Sequence, residues 1–69
     1  MAEIQINLAA ARINAGMRQE DVARAMKVSK NTVLNWEKGK VIPSFATMQA
    51  LSNMYKIPVD NIFLPREST

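Results

Sequence analysis

The stretch QEDVARAMKVSKNTVLNWEK, residues 19–38, decides the fold. Apolar side chains recur at helical spacing in both of its halves. The intervening Lys27-Val28-Ser29 is too short to be anything but a turn, and Ser29 suits the N-cap position of the helix that follows. The sequence therefore predicts helices at about 19–26 and 30–38, joined as a helix-turn-helix motif.

Helical spacing also marks the segments on either side of this motif. We expect a first helix at about residues 2–15, a fourth at about 45–55, and a short fifth helix or turn at 59–63. Signals for β-hairpins are absent. The predicted fold is all-α, a compact bundle of five short helices, in which residues 1–65 form one domain and residues 66–69 a polar C-terminal tail.

The third and fourth helices are each expected to bury one face. The inward face of the fourth helix consists of Phe45, Met48, Leu51, Ser52 and Tyr55. In the third helix the inward positions are Val33, Trp36 and Glu37. We expect Trp36 to lie in the core, because a single aromatic residue does not make a stacking surface for nucleic-acid bases.

The composition excludes several classes of function. The chain has no cysteine and no histidine, which excludes disulfides, thiolate metal sites and the commonest general base. Its carboxylates form no catalytic cluster, so we expect neither an enzyme nor a cofactor. No apolar run approaches the ~18 residues of a membrane span, and Glu3, Gln5 and Asn7 interrupt any signal-peptide core. The expectation is a cytoplasmic protein without a membrane partner.

The formal net charge of +3 is concentrated in the central third of the chain. Residues 1–16 and 41–69 are each neutral in sum, whereas residues 17–40 hold an excess of cations. The cations there are Arg18, Arg24, Lys27, Lys30, Lys38 and Lys40. A local basic surface attracts phosphates and steers a polyanion to that face, although charge by itself fits a simple role in solubility better.

A longer ordered string makes the motif more specific than a bare helix-turn-helix. The string consists of Gln19, Ser29, Trp36-Glu37, Gly39 and Pro43-Ser44. With it the sequence resembles the lambda-repressor-like family of phage repressors and Cro proteins, over essentially all of residues 8–63. The resemblance implies a sequence-specific regulator of transcription that binds double-stranded DNA and reads the major groove with the helix at 30–38.

Base contacts are expected from the polar face of that helix. The resemblance implies this role for Lys30, Asn31, Thr32 and Asn35. Amide side chains pair with adenine, and lysine donates to guanine O6 and N7. Leu34 lies on the same face, and we expect it to pack against thymine methyls or the sugar edge. The alternative for the two asparagines is a simple solvated helix surface. Asparagine is a poor helix former, so helix stability does not explain these residues, and a role in contacting bases is favoured.

Phosphate contacts are expected around this face. The resemblance implies them for Gln19, Lys38 and Lys40, and Arg18 and Ser29 are added as neighbouring positions. Such contacts fix the register of a protein on DNA and carry no sequence information.

The resemblance also implies a partly buried ion pair between Arg12 and Glu37, tying the first helix to the third. Three positions depart from the family pattern: Arg18, Lys27 and Ala11, the last of which is smaller than the leucine often found in the first helix. Arg18 stands where a capping residue is preferred, so the second helix is expected to lose a cap worth ~1 kcal/mol. Lys27 stands where the turn often has glycine, and a left-handed lysine there would cost ~1–2 kcal/mol.

A single headpiece buries only ~600–1,000 Å² on DNA, so we expect a homodimer on a two-fold operator with half-sites ~34 Å apart. The resemblance places a dimer contact near the C-terminus, where Met54 and residues 57–63 offer apolar surface. Closure of the domain's own core is the equal alternative for that surface. No small-molecule ligand is indicated. The rival function is an antitoxin-type protein-interaction module that also binds DNA, although residues 66–69 are too short for a convincing partner-binding tail.

Overall fold

The computed structural model describes residues 6–63. Four α-helices form most of this part of the chain, and the last three have the bounds that the sequence predicts. The helices are α1 (Leu8–Asn14), α2 (Gln19–Met26), α3 (Lys30–Lys38) and α4 (Phe45–Tyr55). Within residues 6–63, no helix is both long enough and apolar enough to cross a membrane.

The first helix starts later than expected. A short strand, β1 (Ile6–Asn7), precedes it and pairs in parallel with β2 (Ile62–Phe63). Asn7 also caps α1, because its side chain accepts a hydrogen bond from the Ala10 backbone N–H at 2.8 Å. The prediction of a helix over residues 2–15 is therefore wrong at residues 6 and 7, and residues 1–5 lie outside the described part.

A fifth α-helix does not occur between residues 56 and 63. A single 3₁₀ turn (Val59–Asn61) takes its place and leads directly into β2. Three residues are too few for a stable helix, and Ile62 extends because it pairs with Ile6 and buries its side chain to 8% exposure. The predicted five-helix bundle is corrected to four α-helices and a two-stranded ribbon that joins the two ends of the domain.

All four helices end in the same backbone motif. A left-handed residue follows α2, α3 and α4 directly and α1 after one further residue: Lys27 (φ 60°), Gly39 (φ 81°), Lys56 (φ 60°) and Gly16 (φ 73°). The next backbone N–H then returns to the helix, as where Val28 donates to the carbonyl of Ala23 at 3.0 Å, which is the Schellman arrangement. Lysine pays a Cβ penalty of ~1–2 kcal/mol in this conformation that glycine does not. The strain anticipated at Lys27 is present, and the sequence did not indicate the second strained lysine.

The core lies between the four helices. Its members are Leu8, Ala11, Val22, Ala23, Val33, Trp36, Met48, Leu51, Tyr55 and Ile62. Phe45, expected to continue the buried face of α4, is instead 75% exposed. It is the first residue of α4, and side chains lean towards the N-terminus of a helix, so its ring projects past the end of the core. Met54 and Ile57 pack against the core and help to close it.

Candidate nucleic-acid interface

The two faces of α3 differ sharply. Val33 and Trp36 are buried against the other helices, and this fixes which side of α3 faces outward. Lys30 and Asn31 are exposed on the outward side, while Leu34 and Asn35 are half-buried there. Asn31 and Asn35 stand one helical turn apart, so amide groups line the outward side of the helix over that turn.

The start of α3 is held by hydroxyl groups. The Ser29 Oγ accepts from the Thr32 backbone N–H at 3.1 Å and lies 2.9 Å from the Thr32 Oγ1. Ser29 is therefore the N-cap that the sequence predicts. Both hydroxyls already have a partner in the protein, so the methyl group is the part of Thr32 with no hydrogen bond to break on approaching a base.

A buried polar network connects α1 to α3. The Arg12 Nε donates to the Glu37 Oε2 at 2.8 Å, and the exposed fractions of the two side chains are 13% and 6%. The Arg12 Nη1 also donates to the carbonyl of Met17 at 3.0 Å. The ion pair inferred from the sequence is thus present, and it also holds the connection between α1 and α2.

Gln19, the first residue of α2, belongs to the same network. Its Nε2 donates to the Glu37 Oε1 at 2.9 Å, an interaction that the sequence did not indicate. Tyr55 lies close enough for the charges of this pair to act on it. Burial, reinforced by the negative charge of Glu37, raises the pKa of the Tyr55 phenol to about 12. One amide hydrogen of Gln19 remains available for a second acceptor.

The N-terminus of α2 has no side-chain cap, because an arginine side chain cannot accept a hydrogen bond from the first turn. The Asp21 carboxylate does accept from the Arg18 backbone N–H at 2.8 Å. This backbone hydrogen bond lowers the pKa of the Asp21 carboxyl, and the positive charges of Arg18 and Arg24 act in the same direction. The Arg18 side chain is exposed and lies 3.6 Å from Asp21 and 4.0 Å from Glu20. The expected loss of a side-chain cap is thus present, and the hydrogen bond from the Arg18 backbone to Asp21 still fixes the first turn of α2.

The lysines around α3 are not neutralised by the described acids. Within residues 6–63, the ion pairs involve only arginines as the cations. Lys30 lies at the start of α3, Lys38 is its last residue, and Lys40 follows in the connection to α4; all three are exposed. Over the same residues, no group of acidic side chains is arranged to hold a metal ion.

Five of the predicted contact residues therefore share the outward side of α3, with a lysine at each end of the helix: Lys30, Asn31, Leu34, Asn35 and Lys38. Gln19, Ser29 and Thr32 differ from the others in that their side chains already make a hydrogen bond within the protein. The sequence reading missed a second exposed surface, made of Val41, Ile42 and Phe45. The absence of any charged residue between positions 41 and 55 was the available signal for it.

Comparison with known proteins agrees with this geometry. A family model described as helix-turn-helix matches residues 8–62. The chain is 33% identical over 57 residues to the cryptic phage CTXphi transcriptional repressor RstR of Vibrio cholerae. The match covers 83% of this chain and 51% of the relative, so the chain spans about half the length of that curated relative. No solved structure gives a significant match.

Proposed function

Because this chain belongs to the helix-turn-helix family of lambda-repressor-like DNA-binding proteins, we propose that it is a transcriptional repressor that recognises specific double-stranded DNA as a homodimer. The observation that carries the proposal is the outward face of α3, where exposed amide and lysine side chains are backed by a buried apolar face. A major groove ~12 Å wide admits one helix presented in this way.

Base reading is assigned to the outward face of α3. Asn31 and Asn35 pair with adenine N6 and N7, and Lys30 donates to guanine O6 or N7. Leu34 and the methyl group of Thr32 contact thymine methyls, an apolar interaction that suits the engaged hydroxyl of Thr32. Together these side chains supply the sequence dependence of binding.

Phosphate contacts hold α3 in register. Lys38 and Lys40 grip the backbone beyond the C-terminal end of α3, while Gln19 and Arg18 contact a phosphate from the N-terminal end of α2, where the helix dipole also favours an anion. Ser29 adds its own contact at the start of α3. Repression is steric: a dimer bound across a promoter blocks the polymerase. The similarity to a phage repressor supports this sign of regulation.

Selection from a library of genomic duplex fragments tests the proposal. The wild-type chain should retain fragments that share two inverted half-sites, and the affinity for them should fall with log[salt] at a slope near −0.9 per phosphate contacted. Lys38→Ala should reduce that slope by ~1 and weaken all sequences alike, whereas the matched variant Lys56→Ala should leave it unchanged. Retained fragments without a common sequence would contradict specific recognition.

A further inference from the structure

The missed apolar surface lies where α3 connects to α4. Val41, Ile42 and Phe45 are 49%, 56% and 75% exposed. Single apolar residues on a surface are ordinary, but these fall within five consecutive positions of the chain. A clustered apolar surface of this kind marks an interaction site.

An open groove of about 350 Å³ lies beside the Phe45 ring. One wall is formed by Phe45, Gln49 and Ser52 of α4, and the other by Pro58, Val59 and Asp60; we refer to these six residues as the Phe45 groove. A cavity of ~150 Å³ is enough to hold benzene, so the groove has room for a phenyl ring. A projecting ring beside a groove that accepts a ring is self-complementary, as a two-fold interface between identical chains requires.

Charge decides between the possible occupants of this surface. Residues 41–55 contain no charged side chain, and the charged residue that lines the groove is Asp60. Nucleic acids and anionic membranes are both attracted by cations, so neither suits this surface. A second copy of the chain does suit it, because the uncharged Phe45 ring of one copy meets no charge of like sign in the groove of the other.

We propose that the homodimer forms through this surface, with Phe45 of each chain seated in the Phe45 groove of the other. The inference rests on the proposed function and names the surface that its dimer uses. Val41 directly follows Lys40 in the chain. The proposed contact therefore lies next to the α3–α4 connection of each chain, where Lys40 contacts the DNA backbone. Pairing of the two chains and binding of adjacent half-sites then favour each other.

The size of the surface sets the expected strength of the dimer. A stable specific interface buries about 800 Å² on each partner, and one aromatic side chain supplies ~150–250 Å² of that area. Phe45 with two shorter aliphatic side chains falls well short of the full area. The chain is therefore mainly monomeric in solution and pairs on DNA, where two copies are held on neighbouring half-sites.

Binding to one half-site and to two half-sites tests the proposal. The wild-type chain should bind the two-site duplex at least ~10-fold more tightly per chain than the one-site duplex, a gain of the size that linked binding produces. Phe45→Glu should abolish this gain and leave the affinity for one half-site unchanged. Ile13→Glu, at an apolar residue of α1 that is 64% exposed, should retain the gain. If Phe45→Glu also retains it, the proposed interface is wrong.

Disulfide trapping tests the contact without DNA, because the chain has no cysteine of its own. An equimolar mixture of the Phe45→Cys and Val59→Cys variants should form a cross-linked heterodimer at high concentration under mild oxidation. The matched mixture of Ile13→Cys and Val59→Cys should form much less. Equal yields would overturn the proposal. A wild-type chain that binds no specific DNA would contradict the proposed function instead, and the trapping result would still decide the interface.

Discussion

The α2–α3 unit and the segment that begins α4 bury apolar faces in the same way but present opposite surfaces. Residues 17–40 hold all of the excess charge, whereas residues 41–55 hold no charged side chain. Lys30 and Asn31 are exposed in the first region, and Phe45 is exposed in the second. The fold of both regions follows from what they bury, and the separate tasks that we propose for them, DNA contact and chain pairing, follow from what they expose.

The largest effect is expected from Arg12→Ala, which removes the ion pair between α1 and α3. Arg12→Ala leaves the Glu37 carboxylate, whose side chain is only 6% exposed, without its cation. Removing one partner of a buried ion pair costs ~3–5 kcal/mol of the free energy of unfolding, which urea denaturation will measure. Arg24→Ala is the control, because its side chain is 74% exposed and should show no comparable loss. A wild-type midpoint for Arg12→Ala would contradict the structural role of the pair.

Alkaline titration probes the same network from α4. Tyr55 is the chain's one tyrosine, and its pKa in the folded protein is raised from 10.0 to about 12. Because the folded-state pKa is the higher one, the stabilisation is complete below pH 10 and is lost as the pH rises through 12. The ultraviolet absorbance of the phenolate should show a late midpoint in the folded chain and one near 10 in urea. A midpoint near 10 in the folded chain would contradict the burial of Tyr55 beside Glu37.

A double-mutant cycle tests whether the buried network of Arg12, Glu37 and Gln19 contributes to DNA binding. Gln19→Ala should weaken DNA binding by ~1 kcal/mol in the wild-type background. In the background Arg12→Met with Glu37→Leu, which removes a buried pair at little expected cost to folding, the same change should have almost no effect, because Glu37 no longer orients the Gln19 amide. Equal losses in both backgrounds would mean that the network acts on stability alone. Trp36 fluorescence checks that each variant is folded.

The smallest effects come from the two left-handed lysines, one directly after α2 and one directly after α4. Lys27→Gly and Lys56→Gly should each raise the free energy of unfolding by ~0.5–1 kcal/mol, because relief of the Cβ penalty exceeds the extra entropy that glycine loses on folding. Only Lys27→Gly removes a cation from the basic region, so it alone should weaken DNA binding. A drop in stability for either variant, measured by urea denaturation, would contradict the strain at these positions.

Local signals made most of the fold predictable from sequence. Ser29 and Ser44 cap α3 and α4 as expected. The spacing of apolar residues within each helix predicted which face packs against the core. The paired strands were not predictable in this way, because Ile6 and Ile62 meet from opposite ends of the chain and neither segment has a hairpin turn to reveal its partner. The helices expected from residue 2 and over residues 59–63 were wrong at residues 6, 7, 62 and 63, which this long-range pairing holds in extended strands.

The candidate site was predictable where a role depends on position along a helix, and less so where it depends on packing. The outward placement of Lys30 and Asn31 follows from the period of α3. The hydrogen bond from Gln19 to Glu37 joins side chains from two helices, and no spacing in the sequence reveals it. Phe45 was misplaced because periodicity identifies a face but not how far the core extends beneath it.

The most direct test of the central claim, that the outward face of α3 reads base pairs, is a selection of binding sites from random duplexes by three proteins in parallel. Wild type and Asn53→Ala, which alters an exposed asparagine of α4, should select the same motif. Asn31→Ala should lose preference at one base pair in each half-site, by ~1–3 kcal/mol of discrimination, and keep the rest of the motif. An unchanged motif for Asn31→Ala would contradict the assignment of α3 as the reading helix.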